Sequence, residues 1–241
     1  MSGLDKLTLA CAAALALGAC DAATETAALA VAAEAPAPEA EVSERGGDAW
    51  CDEFEAGEGA STDCALRVDD QRFLYLDYLT DDDGYASQLV LSQHRFAGTT
   101  LATSEPIDVE PVYGVAGLRD LDGDGAAELL IPLFSGNVNT VFSVWHQDET
   151  GLFAPVGELS GYGIDSFEAR NGLVIAPSRG NAVTHYQAAS RIGASGLEAV
   201  YEIEIDYEQR TCQLTYSTDL AAAGLDAASL IADCEARDWG N

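Results

Sequence analysis

The acidic residues between positions 120 and 128 have the spacing of a calcium-binding loop. Asp occupies the first, third and fifth positions of this nine-residue stretch, Glu occupies the ninth, and Gly123 and Gly125 lie between them. Calcium takes about six to eight oxygen ligands, chiefly carboxylates and carbonyls, and glycine allows the sharp bends that let such oxygens converge. Carboxylates held this close repel one another, so a bound cation would stabilise the fold. The sequence therefore predicts a Ca²⁺ site; the alternative is an acidic surface turn that binds no metal.

The segment after the loop distinguishes it from an EF-hand. An EF-hand loop ends in a Glu that binds through both oxygens, but that position is Ile131, and residues 129–134 are strand-like. A nine-residue form between strands resembles the calcium hairpins of the FG-GAP and VCBS repeats found in integrin-type propellers. The resemblance implies four side-chain ligands and one carbonyl ligand. These ligands are the side chains of Asp120, Asp122, Asp124 and Glu128 and the carbonyl of Ala126.

The first 20 residues resemble a bacterial lipoprotein signal. Lys6 precedes an apolar run over residues 7–17, and the small residues Gly18 and Ala19 come directly before Cys20. The run is too short to span a bilayer. The resemblance implies cleavage before Cys20 and diacylation of its thiol, which anchors a protein stably to a membrane. The alternative is an ordinary secretory signal with a chance cysteine.

These features divide the chain into three parts. Residues 1–19 are the predicted signal peptide, and residues 20–47, rich in Ala, Glu, Pro and Thr, are a lipidated disordered tether. Residues 48–241 form the calcium-binding β domain. We expect a periplasm-facing protein of a Gram-negative cell envelope, and Asp21 slightly favours the inner membrane.

The cysteines of the folded part predict two disulfide bonds. Apart from two cysteines in the N-terminal region, the chain contains Cys51, Cys64, Cys212 and Cys234. An even number in an exported domain indicates disulfides, and three pairings are possible. We favour the near-neighbour pairs, 51 with 64 and 212 with 234, because each would clip one end of the domain. A zinc site is disfavoured because no CxxC pair is present and the histidines are scattered.

The folded part reads as strands separated by Gly, Asn and Asp turns. Clear strands are predicted over 72–79, 87–93, 126–135, 138–146 and 200–217, the last with a turn near Gln209 and Arg210. The one good helix spans 226–237, with Asp226 as its N-cap. We therefore predict an all-β fold, a small propeller-like arrangement or an irregular sandwich, with one short C-terminal helix.

The spacing of three turn glycines gives a weak indication of an internal sequence repeat. Gly84, Gly125 and Gly172 precede apolar segments at spacings of 41 and 47 residues, which is the range of propeller blades. The segment around Gly84 contains Asp81 and Asp83 and looks like a degenerate copy of the calcium loop. We assign it no metal.

Charge excludes one class of function and suggests a partner. The chain has 11 Lys and Arg against 41 Asp and Glu, a formal net charge of −30, which repels phosphate backbones. Nucleic-acid binding is therefore not expected. In residues 201–208 the acidic side chains alternate with apolar ones, as on a half-buried strand. This acidic row is either a solvated face or a docking stripe for a basic protein.

The sequence contains none of the common motifs of enzyme active sites. His94, His146 and His185 lie apart in the sequence, and no GxSxG, HExxH, P-loop or dinucleotide motif occurs. We predict that the protein is not an enzyme but a lipid-anchored binding protein. Its architecture resembles the immunity lipoproteins that protect bacteria from lytic effectors of bacteria-killing type IV secretion, which implies a basic, cell-wall-cleaving partner. The alternatives are a structural or assembly lipoprotein of the envelope and a calcium-dependent hydrolase.

Overall fold

Strands make up most of the part of the chain that the computed structural model describes, namely residues 49–54, 62–110, 114–193 and 195–239. Within those ranges the strands form three antiparallel sheets, and one short α-helix follows the last strand. The predicted signal peptide, the tether, Cys20 and Asp21 all lie outside the described residues. No helix in the described ranges is long and apolar enough to cross a membrane.

Each sheet is built from consecutive strands. The first sheet has the order β1-β2-β3-β4, and β5 also pairs with β3. The second sheet has the order β6-β7-β8-β9. The strands of the first sheet are β1 (Cys64–Arg67), β2 (Arg72–Thr80), β3 (Ala86–Arg95), β4 (Thr100–Thr103) and β5 (Ile107–Asp108). Those of the second are β6 (Gly117–Arg119), β7 (Glu128–Ser135), β8 (Thr140–Gln147) and β9 (Phe153–Gly161).

The third sheet has the order β10-β11-β12-β13-β14 and is followed by the helix. Its strands are β10 (Glu168–Arg170), β11 (Leu173–Arg179), β12 (Thr184–Gly193), β13 (Gly196–Asp206) and β14 (Thr211–Ser217), and the helix α1 spans Ala227–Glu235. The prediction of an all-β fold with one short C-terminal helix is confirmed.

Alternating side chains on β7 place the second sheet between the other two. Leu129 and Ile131 pack in a buried cluster with residues of the first sheet, such as Leu76. Leu130 points to the opposite face and packs in a cluster that contains Val174 of the third sheet. Since successive side chains of a strand face opposite sides, a strand that is apolar at consecutive positions is buried on both faces. The three sheets therefore stack face to face.

The outer face of the third sheet is covered by α1. Ile203 and Ile205 of β13 pack with Cys234 of the helix in one cluster. The Asp226 carboxylate caps the helix by accepting a hydrogen bond from the Ser229 amide at 2.9 Å. This layer explains the alternation in residues 201–208: the apolar side chains of β13 face the helix, whereas the acidic ones are half-buried on the opposite face.

Both disulfides have the predicted near-neighbour pairing. Cys51 bonds to Cys64 and joins the segment before the first sheet to β1, and a hydrogen bond from the Ala65 amide to the Ala49 carbonyl supports the same junction. Cys212 bonds to Cys234 and fastens β14 to α1. Each bond therefore clips one end of the described domain.

Side-chain amides join neighbouring sheets. The buried Gln93 on β3 donates to the Phe153 carbonyl at 2.8 Å and accepts from the Phe153 amide at 2.9 Å, which connects the first sheet to β9. Asn139 donates to the Arg179 carbonyl at 2.8 Å and accepts from the Arg179 amide at 2.9 Å, which connects the second sheet to β11. In both cases one side chain satisfies a backbone donor and acceptor that no strand pairing satisfies.

The three turn glycines occupy equivalent places in the three sheets. Gly84, Gly125 and Gly172 precede β3, β7 and β11 in the β2–β3, β6–β7 and β10–β11 hairpins, and their φ angles of 84°, 94° and 72° lie in the left-handed region that favours glycine. The weak repeat in the sequence therefore corresponds to a repeated hairpin.

Candidate metal centre

The acidic loop connects the short strand β6 to the central strand β7. The strand pair closes directly behind it, with Arg119 opposite Glu128. Gly123 and Gly125 have φ angles of 82° and 94°, so the loop bends at the two positions where the sequence provides glycine. The hairpin geometry agrees with the expectation that the loop lies between strands and is not followed by a helix.

Three of the predicted ligands come together. One carboxylate oxygen from each of Asp120, Asp122 and Asp124 lies within 4.8 Å of the other two, and no other group of three or more acidic, His or Cys ligand atoms converges in this way among the described residues. Asp122 is half-buried, whereas the other two carboxylates are exposed. The donor set consists of hard oxygen atoms, which suits Ca²⁺ or Mg²⁺ rather than a softer metal.

Backbone amides of the loop hold these carboxylates in place. Oδ1 and Oδ2 of Asp120 accept hydrogen bonds from the amides of Gly123 at 2.7 Å and Gly125 at 3.1 Å. Asp122 accepts from the Asp124 amide at 3.1 Å, and Asp124 accepts from the Ala126 amide at 2.7 Å. An ionised carboxylate has about four lone-pair sites, so each of these side chains keeps acceptor capacity for a cation.

The predicted ligand Glu128 lies outside the three-carboxylate group. Its side chain is fully buried at the start of β7, where Oε2 accepts from the Leu121 amide at 2.8 Å and Oε1 lies 2.8 Å from Nδ1 of His146. Burial raises the pKa of Glu128, while the Leu121 amide and His146 oppose that rise. The side chain therefore joins the loop to strand β8.

The clustering of like charges is reflected in the titration of Asp122. Burial raises the pKa of this carboxyl, and the charges of Asp124 and Asp120 raise it further, whereas the Asp124 amide and His146 act in the opposite direction. Loss of hydration and repulsion between neighbours both disfavour the ionised form. A cation held by the same oxygens would favour that form.

The fifth predicted ligand and the second acidic loop have simpler surroundings. The Ala126 amide donates to Asp124, so this residue lies at the carboxylate cluster. In the second loop, Oδ1 of Asp81 accepts from the amides of Asp83 at 3.0 Å and Tyr85 at 2.9 Å, as in a self-capped turn. We assign that loop no metal, and the Asp81 carboxylate is used by its own backbone.

The three histidines have three different environments. His94 stacks on Phe73, with 5.0 Å between the ring centroids, and His146 lies against Glu128. Nδ1 of His185 lies 2.9 Å from the Tyr162 hydroxyl. Sequence reasoning did not single out His146 as part of the metal loop. His146 and Glu128 are 18 positions apart in the sequence, so local spacing does not indicate that they are in contact. The register of β7 and β8, with Leu129 opposite Trp145, brings them together.

Comparisons with known proteins give little further information. No protein-family model matches this sequence, and no curated protein is similar to it at a significant level. A solved structure of a Xanthomonas type IV secretion system related protein is similar to this chain with a TM-score of 0.39 and 11% identity, over 63% of this chain and 91% of that one. Similarity at that level does not establish a shared fold or a shared function.

Proposed function

We propose that this chain is a lipid-anchored binding protein of the bacterial envelope, that Ca²⁺ bound at residues 120–128 stabilises its β domain, and that it captures a basic, cell-wall-cleaving enzyme and inhibits it. The observation that carries the calcium part is the convergence of the Asp120, Asp122 and Asp124 carboxylates within 4.8 Å of one another. The formal net charge of −30 supports the proposal that the partner is a basic protein.

The electrostatics of the loop support a resident cation. Three carboxylates share one hairpin, and the pKa of Asp122 is raised by burial and by its two acidic neighbours. Ca²⁺ would supply positive charge to this cluster and cross-link the hairpin between β6 and β7. We assign ligation to the three Asp side chains and to the Ala126 carbonyl. We assign to Glu128 the positioning of the loop, because its fully buried side chain lies outside the three-carboxylate group and contacts the Leu121 amide and His146.

Calorimetric titration of the exported domain with CaCl₂ tests this assignment. We expect one site with a dissociation constant of about 10⁻⁴–10⁻³ M, as in extracytoplasmic calcium modules. Asp122→Asn should weaken binding at least tenfold. The matched control is Asp82→Asn, which removes an exposed carboxylate from the second acidic loop and should leave binding unchanged. An equal affinity in the two variants would contradict the assignment.

The basic partner is supported by long-range charge. At a formal net charge of −30, the protein attracts cationic proteins and accelerates their encounter, more strongly at low salt. A lipid anchor would hold such an inhibitor at the membrane surface. Lytic enzymes that act on the cell wall would come close to it there.

Pull-down from an envelope extract in millimolar calcium tests this part of the proposal. The tagged protein should recover a basic hydrolase, and the purified pair should degrade peptidoglycan more slowly than the hydrolase alone. Recovery should fall when the salt concentration is raised. If deletion of the gene instead disturbs the envelope in the absence of any lytic enzyme, and no hydrolase is recovered, the protein is a structural lipoprotein and the proposal is wrong.

A further inference from the structure

A large cleft opens at the end of the second sheet opposite the metal loop. Its volume is about 1350 Å³, and it is lined by the end of β1, the start of β6, the turn between β7 and β8 and residues 162–166. Ligand pockets for small molecules are usually about 300–1,000 Å³. The size of the cleft therefore suits a segment of a macromolecule better than a small molecule.

An aromatic strip with exposed and half-buried members continues from this cleft over the third sheet. Tyr162 lines the cleft and is 41% exposed, and its hydroxyl lies 2.9 Å from His185. The ring of His185 lies 4.6 Å from that of Tyr207, which in turn contacts Trp239 at 5.6 Å. Val138, on the turn after β7, lines the cleft and is 45% exposed. We call Tyr162, His185, Tyr207 and Trp239 the aromatic strip.

The charged groups around the cleft are mostly acidic. The carboxylates of Asp52, Glu53 and Asp165 and the guanidinium of Arg67 line it, and Asp165 is paired with Arg119 at 3.1 Å. Arg67 stacks between Trp50 and Phe96, at 5.2 Å and 5.0 Å from their ring centroids. An apolar and aromatic floor with an acidic rim is complementary to an apolar segment flanked by Lys or Arg.

We propose that the cleft and the aromatic strip are the docking surface for the basic protein partner. This inference rests on the proposed function and adds the location of the contact. An apolar segment of the partner enters the cleft beside Val138 and Tyr162, while its basic side chains meet the carboxylates of the rim. Aromatic residues and Arg supply most of the affinity in protein interfaces, and this face concentrates them.

The acidic row on β13 is the competing surface. Glu202, Glu204 and Asp206 are half-buried on a sheet, and Glu202 accepts a hydrogen bond from the Thr215 hydroxyl at 2.8 Å. The adjacent strand exposes Tyr216, which is 46% accessible and pairs with Glu202. A probe at Tyr216 therefore reports on docking at the acidic row rather than at the cleft.

Site-specific photo-crosslinking distinguishes the two surfaces. The full-length, tagged protein carries p-benzoylphenylalanine in place of Val138, Tyr207 or Tyr216, and the cells are irradiated in millimolar calcium. We expect an adduct with the basic hydrolase from positions 138 and 207 and none from position 216. Adduct formation at 216 alone, or no adduct at 138 and 207 while the tagged wild type recovers the hydrolase, would overturn the docking surface and leave the proposed function standing.

Affinity measurements with the purified hydrolase complete the test. Val138→Arg and Tyr162→Ala should each raise its dissociation constant at least tenfold, whereas Tyr216→Ala should change it less than threefold. Val138 lies on an exposed turn, so that variant keeps the test valid if Tyr162→Ala fails to fold. Equal affinities of wild type and Val138→Arg would refute the docking surface. If the wild type itself binds no basic hydrolase, the proposed function fails, and this inference fails with it.

Discussion

Replacing Gln93 with leucine should weaken the attachment of the first sheet to β9. The side chain is 6% exposed and supplies the hydrogen bonds of the buried Phe153 amide and carbonyl, at 2.9 and 2.8 Å. A buried polar group without a partner costs about 1–3 kcal/mol. Two such groups, partly offset by the added apolar contact of leucine, should lower the free energy of unfolding by about 2–4 kcal/mol. For a domain of this size that corresponds to a fall in Tm of about 5–15 °C.

The matched control lies on the same strand. Gln88 donates to Asp108 at 3.1 Å in an exposed position, so Gln88→Leu should change the free energy of unfolding by less than about 0.5 kcal/mol. Urea and thermal unfolding of both variants, followed by circular dichroism in calcium, measure the difference. If Gln93→Leu unfolds within 1 °C of Gln88→Leu, the inter-sheet amide does not stabilise the domain and the reasoning is refuted.

Three other perturbations test separate parts of the structure. Replacing Cys212 and Cys234 with alanine should cost about 2–4 kcal/mol of stability and expose α1 to proteolysis; an unchanged cleavage pattern would contradict this. Asp226→Ala removes the helix cap and should cost about 1 kcal/mol, whereas a Tm equal to that of the wild type would argue against the cap. Burial lowers the pKa of His94 and of His185, and nearby Arg charges lower that of His185 further. The unfolded chain therefore binds more protons than the folded one as the pH falls. The free energy of unfolding should accordingly decrease as the pH drops through about 6.5. Replacing both histidines with glutamine should flatten that part of the pH–stability curve.

Features that depend on neighbouring residues could be predicted from the sequence. The acidic loop, its glycines and the strand after it form one local pattern, and the structure places them in one hairpin. The disulfides are near neighbours in the chain, and the helix carries its own cap. In each case the information lies within a few residues, so the physical rule applies without knowledge of the tertiary fold.

The parts that depend on tertiary packing were not predictable. Gln93 and Phe153 are 60 positions apart, and only the stacking of the sheets joins them. Residues 184–193 contain several small residues and lack a clear period, so β12 becomes a strand through pairing with β11 and β13. The ninth residue of the loop illustrates the same limit: the spacing predicts Glu128 as a ligand but does not predict its contact with His146, which the strand register creates.

Ca²⁺ bound at the hairpin of residues 119–128 is proposed to stabilise the domain. Thermal unfolding of residues 48–241 in about 5 mM CaCl₂ and in EDTA tests this proposal most directly, and the same measurement in MgCl₂ tests whether the effect is selective for calcium. With a dissociation constant of about 10⁻⁴–10⁻³ M, binding to the folded state adds about 1–2 kcal/mol, a rise in Tm of about 2–8 °C. Asp122→Asn, which should weaken binding at least tenfold, should reduce that rise by at least about half. Equal Tm values in calcium and in EDTA for the wild type would contradict the account.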